Sequence, residues 1–229
     1  MSPPPSPRPV PTAEELALMP VLPNLPPDRV AVLRTAADAP AAWAVLQQAD
    51  AWGFDTESKP TFHRDQVSDG PHTVQLATDD RAWVIQLHDP QLRRLVGQWL
   101  AHPGVVKAGF GLGDDLRRIR RALGVEPCDV VELNTLMRAQ GYRREMGVKA
   151  SVAVLLGQRM QKSKSVATTN WAQAVLSPQQ VAYAAQDAHA ALRVYRALNA
   201  AGALPANRTP PRDPTVGNGP APRAADRQS

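Results

Sequence analysis

Residues 52–57, with the sequence WGFDTE, form the stretch that decides the fold of this chain. The pattern predicts a buried strand, on which alternate side chains point to opposite faces. Asp55 and Glu57 therefore share one face, and the two aromatic side chains share the other. Two carboxylates side by side on a buried strand are costly unless a positive charge neutralises them. A hard divalent cation, Mg²⁺ or Mn²⁺, would do this. Taken alone, however, the pair fits an exposed strand end with two solvated acids better.

Outward from this strand, apolar periodicity predicts strands that alternate with helices, followed by a helical end. This order is typical of an α/β fold in which helices flank a mixed central sheet of about five strands. Ser177 and Pro178 predict the start of the last helix, as an N-cap and a first-turn proline. Strands are predicted at residues 29–34, 52–57, 74–77, 83–87, 105–108 and 130–133, and helices at residues 39–48, 92–100, 114–123, 135–140, 149–156, 170–175 and 178–200.

Proline is concentrated at the two ends of the 229-residue chain. Residues 1–28 and 204–229 have too little apolar surface to offset the entropy of ordering. They are predicted to be mostly disordered tails on either side of one domain at residues 29–203. A short apolar patch around Leu16, Met19 and Leu22 in the first tail is a candidate to dock on that domain.

The charge balance, 26 basic against 21 acidic residues, gives a net charge of +5. Such a chain suits a polyanionic partner, although the excess is modest. The single cysteine, Cys128, excludes an internal disulfide and a cysteine-rich zinc site. No apolar run approaches the ~20 residues of a membrane span, and the N-terminus lacks the apolar core of a signal peptide. We therefore expect a soluble cytoplasmic protein that does not bind membranes.

Two further acidic fragments follow the first. Asp114 and Asp115 begin a predicted helix, where acidic side chains also act as caps and interact favourably with the helix dipole. Tyr183 and Asp187 are four residues apart, so they share one face of the last predicted helix. Each fragment taken singly has an ordinary structural explanation. Together, in this order, the three fragments are what a site for two divalent metals needs.

The glycines at positions 109, 111 and 113 allow a rival interpretation. A glycine-rich turn between a strand and a helix, with Glu132 at the end of the next strand, is faintly similar to a dinucleotide-binding unit. The spacing of the glycines differs from that motif. In addition, the two aspartates at the start of the helix would repel a pyrophosphate.

Taken in order, the fragments make the chain resemble the RNase D and Werner-type 3′–5′ exonucleases, the branch of the DEDD nucleases with a tyrosine in the last motif. The resemblance covers residues 29–200 and implies a ribonuclease H-like fold. The stretches that carry it are residues 53–57 (GFDTE), 107–116 and 176–188, which are similar to the three family motifs, and residues 155–157 and 164–171, which are similar to the Werner-type subgroup.

The resemblance implies hydrolysis of nucleic acid from the 3′ end, with release of nucleoside 5′-monophosphates. Carried over residue by residue, Asp55 would bridge two ions of Mg²⁺ or Mn²⁺. Glu57 and Asp187 would complete the shell of the first ion, and Asp115 would hold the second through water. Tyr183 would orient the attacking water.

Two departures from the family pattern leave questions open. Asp114 adjoins Asp115, and the distance from the glycines together with the following Leu116 favours Asp115 as the second-motif residue. His189 stands where relatives often carry an aromatic residue, and we interpret it as a packing or rim residue.

The nucleic-acid partner, DNA or RNA, needs positive and aromatic contacts. Arg143, Lys162 and Lys164 are candidates to bind its phosphates. Trp171 is a candidate to stack on a base, with packing in the core as the alternative. The loop at residues 59–71 is a candidate to shape the approach of the 3′ end. A catalytically inactive nucleic-acid-binding adaptor of the same fold is the alternative function, and the presence of all four carboxylates and the tyrosine argues against it.

Overall fold

The computed structural model describes residues 8–60, 69–142, 146–161 and 164–204. Within them, six strands form one sheet with helices on both faces. None of these helices combines the length and the apolar character needed to cross a bilayer. The strands are β1 Val30–Leu33, β2 Ala51–Glu57, β3 Thr73–Ala77, β4 Ala82–Gln86, β5 Val106–Gly109 and β6 Val130–Glu132. The helices are α1 Ala13–Leu18, α2 Ala39–Leu46, α3 Pro90–Leu100, α4 Leu112–Leu123, α5 Leu133–Ala139, α6 Gly147–Leu156, α7 Lys164–Ala167 and α8 Pro178–Ala200.

The sheet has the strand order β1-β4-β3-β2-β5-β6. β3 is antiparallel to both of its neighbours, β4 and β2, and the other pairs are parallel. The predicted α/β fold with a mixed sheet is confirmed, with six strands where about five were expected. β2 is an inner strand parallel to β5, so the carboxyl ends of both strands lie at the same edge of the sheet, where ligands of such sheets bind.

The two faces of β2 are covered by different helices. Trp52 and Phe54 are fully buried on one face, where they pack with apolar side chains of α2, α3 and α4. Gly53 lies on the other face, directly against α8. The alternation predicted for this strand is therefore what separates the apolar core from the face that carries Asp55 and Glu57.

One lysine, Lys107 on β5, is fully buried. Its Nζ donates a hydrogen bond to the carbonyl oxygen of His102 at 2.5 Å and lies 5.1 Å from the centroid of the Trp52 ring. These contacts compensate part of the cost of burying an ammonium group. Burial nevertheless lowers the pKa of Lys107 to about 8. Lys107 therefore ties β5 to the loop after α3 and is not a surface cation.

The last helix, α8, has the predicted bounds because its first turn is strongly capped. The Ser177 hydroxyl accepts a hydrogen bond from the Gln180 backbone N–H, and the Gln180 side chain accepts one from the Ser177 backbone N–H. This reciprocal pair is a capping box, and Pro178 occupies the first helical position.

The helix predicted at residues 170–175 is wrong, because the structure has turns there. Asn170 Oδ1 accepts a hydrogen bond from the Ala172 backbone N–H at 3.0 Å, and Trp171 Nε1 donates to the carbonyl oxygen of Ala167 at 3.3 Å. Such bonds from side chains to nearby backbone groups compete with helix formation. The segment is a loop that packs against α8 through the buried Trp171 ring.

Part of the N-terminal segment, which the sequence predicts to be a mostly disordered tail, contacts the domain. Leu22 is 1% exposed and belongs to the core. Main-chain hydrogen bonds join Leu22 N to Arg159 O and Arg159 N to Pro20 O, both at 2.9 Å. The apolar patch thus docks, through Leu22 in particular. Residues 1–7 and 205–229 lie outside the described residues, and there the tails stay a prediction.

Candidate active site

Three carboxylates from two elements meet at the carboxyl end of β2. Asp55 and Glu57 are half-buried at the end of this strand, and Asp187 on α8 is 3% exposed. One oxygen atom from each of the three lies within 4.8 Å of the other two. The sequence predicted that the first two share a face, and the tertiary structure brings the third to them.

α8 approaches β2 this closely because residue 53 is a glycine. A Cβ atom at Gly53 would lie 1.8 Å from the carbonyl oxygen of Ala188, far inside contact distance. The alanines of α8 that face the sheet, Ala184 and Ala185 among them, are buried and small. Asp187 adjoins Ala188 in the chain, so this close contact brings its carboxylate to the acidic end of β2.

The donor set is suited to a divalent metal. Carboxylate oxygens are the ligands that hard divalent cations prefer. Three such groups within 4.8 Å of one another repel each other when all are ionised, and a bound cation removes that repulsion. The cluster therefore matches the chemistry of a metal site in both its ligand type and its charge.

The adjacent aspartates of α4 have different surroundings. The Asp115 side chain is 13% exposed, accepts a hydrogen bond from the Thr56 hydroxyl at 2.5 Å, and lies 3.7 Å from Arg118. Burial raises the pKa of Asp115. The Asp114 side chain is 61% exposed and forms an ion pair with Arg117 on the same helix. Asp115 is thus joined to β2 between Asp55 and Glu57, although it is outside the group of three carboxylates, and Asp114 faces solvent.

The aromatic side chains Tyr183 and Trp171 and the ring of His189 are all buried. Tyr183 is 9% exposed, and the centroid of its ring lies 6.1 Å from that of Trp171. Trp171 is fully buried, so it has no exposed face for a nucleic-acid base, and the alternative of core packing applies. His189 is 6% exposed, with Nε2 3.1 Å from the carbonyl oxygen of Asp79, and burial lowers its pKa. This agrees with the interpretation of His189 as a packing residue.

A cavity of about 450 Å³ adjoins the carboxylates. Asp55 and Asp187 line it together with Phe110, Asn134 and residues 146–148. Its volume lies within the range of small-ligand sites. A lining that contains both acidic and apolar groups suits a ligand that has a charged and an uncharged portion.

The side chains of the cationic residues predicted to bind phosphates lie outside the part of the chain that the structure describes. Arg143, Lys162 and the side chain of Lys164 lie outside the described residues, as do residues 61–68 of the loop after β2. The arginines of α4 are described, and several are engaged locally. Arg120, for example, pairs with Glu126, and Arg121 Nη2 donates to the carbonyl oxygen of Gly70 at 3.4 Å.

Comparison with known proteins shows the family to which the chain belongs. A model of the 3′-5′ exonuclease family matches residues 30–202. The chain belongs to this 3′-5′ exonuclease family. A 3′-5′ exonuclease of Arabidopsis thaliana is 26% identical over 148 residues, which cover 64% of this chain and 51% of that protein. The human exonuclease mut-7 homolog is 29% identical over 187 residues, which cover 68% of this chain and 20% of that protein. The exonuclease chain thus spans about half of the first relative and a fifth of the second.

Solved exonuclease structures share the fold. The EXO domain of Aedes aegypti Nibbler superposes with a TM-score of 0.65 at 23% identity, covering 77% of this chain and 89% of that domain. Escherichia coli RNase D superposes with a TM-score of 0.61 at 22% identity, covering 76% of this chain and 46% of that one. The ribonuclease H-like fold expected from the sequence is thereby confirmed.

Family membership removes the dinucleotide interpretation, and the exonuclease structure gives the physical reason. The Glu132 carboxylate accepts hydrogen bonds from the backbone N–H groups of Gly111, at 3.1 Å, and Leu112, at 2.7 Å. These are the N–H groups at the start of α4 that a pyrophosphate would need. Glu132 instead anchors the helix that carries Asp115.

Two buried polar residues that border the carboxylates were not among the predicted site residues. Thr73 and Gln75 on β3 lie directly opposite Glu57 and Asp55 on β2, and both are buried. The signal was available, since polar residues two apart on an otherwise apolar strand mark one face of it. Asn134, which lines the cavity, had no comparable signal in the sequence.

Proposed function

We propose that this chain is a metal-dependent 3′–5′ exonuclease that hydrolyses nucleic-acid phosphodiester bonds and releases nucleoside 5′-monophosphates. The observation that carries the proposal is the meeting of the Asp55, Glu57 and Asp187 carboxylates within 4.8 Å beside a cavity. Membership of the 3′-5′ exonuclease family supports the reaction class.

The carboxylates fit two ions of Mg²⁺ or Mn²⁺ in these roles. Asp55 would bind both ions, Glu57 and Asp187 the first, and Asp115 the second through water. When bound, such ions lower the pKa of a water molecule and stabilise negative charge on the leaving oxygen. The hydrogen bond from Thr56 anchors one oxygen of the Asp115 carboxylate beside β2.

The chain's own residues position the reacting groups. Water attacks the last phosphorus, the bond to the 3′ oxygen of the preceding nucleotide breaks, and that oxygen takes a proton as the new 3′-hydroxyl. We assign the Tyr183 hydroxyl the task of holding the attacking water by a hydrogen bond. The neighbouring Trp171 ring restricts the rotation of Tyr183, and Asp187 follows one helical turn later.

The substrate is proposed to be a nucleic acid whose phosphates bind cationic side chains. Arg143, Lys162 and Lys164 are the candidates, and their removal is expected to weaken binding and its dependence on salt. The structure of Trypanosoma brucei RNase D in complex with RNA U12 shares this fold, with a TM-score of 0.65 at 20% identity. That likeness supports RNA as a substrate to test beside DNA.

The proposal is tested with matched 5′-labelled strands of single-stranded DNA, recessed DNA and RNA, in Mg²⁺ or Mn²⁺. We expect the wild type to shorten a strand from its 3′ end and to stop when EDTA is added. Asp55→Ala is expected to lose at least about 10²-fold in rate, because a preorganised charge at the reacting centre is removed.

Asp28→Ala is the matched control, since Asp28 is a solvent-exposed aspartate with a side chain 78% exposed. It is expected to keep the wild-type rate. If all strands stay intact with wild type and Asp55→Ala alike, hydrolysis is excluded. Binding of those intact strands would then favour the inactive adaptor.

A further inference from the structure

Asn134 is a buried polar residue that faces the cavity beside the carboxylates. It is 4% exposed and lies at the start of α5, immediately after β6. Its Oδ1 accepts hydrogen bonds from two backbone N–H groups, those of Met146 at 3.1 Å and Gly147 at 3.3 Å. These bonds hold the residues that lead into α6, which form part of the same cavity lining.

The two hydrogen bonds assign the oxygen and nitrogen positions of the Asn134 side-chain amide. Both partners are backbone donors, so the atom facing them must be the oxygen and not the NH₂ group. The Nδ2 atom, with two N–H donors, is therefore on the remaining side. Within the described part of the chain, Nδ2 makes no hydrogen bond to an acceptor, and the residue lines the cavity. A donor that lines the cavity without a protein partner is available to an acceptor of a ligand or to water.

The other residues that line the cavity indicate which part of a ligand would lie beside Nδ2 of Asn134. Asp55 and Asp187 would hold the phosphate through metal, so that portion of the cavity is assigned to charge. Phe110, Met146 and Val148 are apolar and suit a sugar or a base. A neutral amide beside these side chains matches an uncharged acceptor better than it matches a phosphate.

We propose that Asn134 is a specificity-determining residue whose Nδ2 donates a hydrogen bond to an acceptor of the 3′-terminal nucleoside. The inference rests on the proposed exonuclease function and names a contact within that site. The acceptor is a sugar hydroxyl oxygen or the N3 atom of a purine. Both are neutral acceptors of the nucleoside, and analogues that lack one of them tell them apart.

The test is a thermodynamic cycle in which the ligand and residue 134 are changed separately and together. Effects on affinity that come from only one of the two changes cancel in this cycle. Affinities of AMP and of its 2′-deoxy, 3′-deoxy and 3-deaza analogues are measured by calorimetry in Mg²⁺, for wild type and for Asn134→Asp. Aspartate keeps an oxygen for Met146 and Gly147 and loses the donor. We expect one analogue to bind the wild type about 2- to 10-fold more weakly than AMP. For Asn134→Asp that ratio is expected to fall to about one.

If no analogue ratio differs between the wild type and the variant, Asn134 does not donate to the nucleoside and the inference is overturned. Asn134→Ser serves as a second variant if Asn134→Asp does not fold, as judged by circular dichroism. The measurement uses binding and not turnover. An enzyme that degrades strands while its ratios stay unchanged refutes this contact alone, whereas a protein that leaves all strands intact refutes the exonuclease proposal.

Discussion

At the scale of single residues, neighbours in the sequence have different surroundings because a helix turns each successive side chain by a large angle. Asp114 and Asp115 have the same chemistry and adjacent positions in the first turn of α4. Asp114 extends into solvent beside Arg117, and Asp115 accepts a hydrogen bond from Thr56 on the strand that carries the other carboxylates. The structure therefore favours Asp115 as the residue that contributes to the proposed site.

This difference predicts opposite outcomes for two matched substitutions. Asp115→Asn keeps an oxygen for Thr56 and loses the negative charge, so we expect the rate of strand degradation to fall by about 10²-fold or more with little change in stability. Asp114→Asn removes a charge that is exposed to solvent, and we expect a rate close to that of the wild type. Single-turnover rates in Mn²⁺ measure both. Equal losses in the two variants would contradict the assignment of Asp115.

At the scale of elements, the site depends on how closely α8 packs on β2. Gly53 contacts the Ala188 carbonyl, and the neighbouring α8 residues are small. The same helix is held near its other end by Arg196, which forms ion pairs with Asp50 at 2.6 Å and Asp79 at 2.9 Å. Because Asp187 and Tyr183 both lie on α8, the distance between this helix and the sheet sets the geometry of the proposed site.

Gly53→Ala is therefore expected to impair both stability and activity. The added methyl group has no space, so α8 must move away from β2, at a cost of about 1–3 kcal/mol in the free energy of unfolding. Gly113→Ala is the matched control, because a Cβ atom there would meet nothing within 4 Å. It is expected to be neutral or to stabilise α4 by about 0.5–1 kcal/mol. Urea unfolding and strand degradation measure the two effects, and a fully active, stable Gly53→Ala would refute the role of this contact.

At the scale of the whole molecule, the described part of the N-terminal segment contacts the domain at several points. Prolines lack the backbone donor, yet their carbonyl oxygens still accept hydrogen bonds, as Pro20 does from Arg159. The segment also places Arg8 near the residues before α6, where the Arg8 backbone N–H donates to the Gly141 carbonyl at 3.2 Å. Composition alone carries no information about this pairing with a distant partner, so only the structure reveals it.

Leu22→Ala tests how strongly the segment is joined to the core. Leu22 is 1% exposed, so removal of its side chain is expected to lower the free energy of unfolding by about 2–4 kcal/mol. Leu18→Ala is the control from the same segment, since Leu18 is 88% exposed, and a change within about 0.5 kcal/mol is expected. Thermal and urea unfolding of the full chain measure both. A Leu22→Ala variant as stable as the wild type would show that the segment contributes nothing to the core.

Local patterns determine some elements of this chain completely. The bounds of α8 follow from Ser177, Pro178 and the helical periodicity behind them, all of which act within one turn of the chain. The helix expected at residues 170–175 did not form. The Asn170 side chain holds the Ala172 backbone N–H in a turn, and the Trp171 ring is buried against α8, a contact that local periodicity does not reveal.

The sequence by itself determined the strand that carries Asp55 and Glu57, the shared helix face of Tyr183 and Asp187, and the family that these motifs resemble. Those features depend on residue type and on the periods of strands and helices, which the chain carries locally. Only the tertiary structure decided that Asp187 reaches the end of β2, that Trp171 is buried, and that Asn134 faces the cavity. Each of these depends on contacts between residues far apart in the chain, and such distances are set by how the elements pack and not by local pattern.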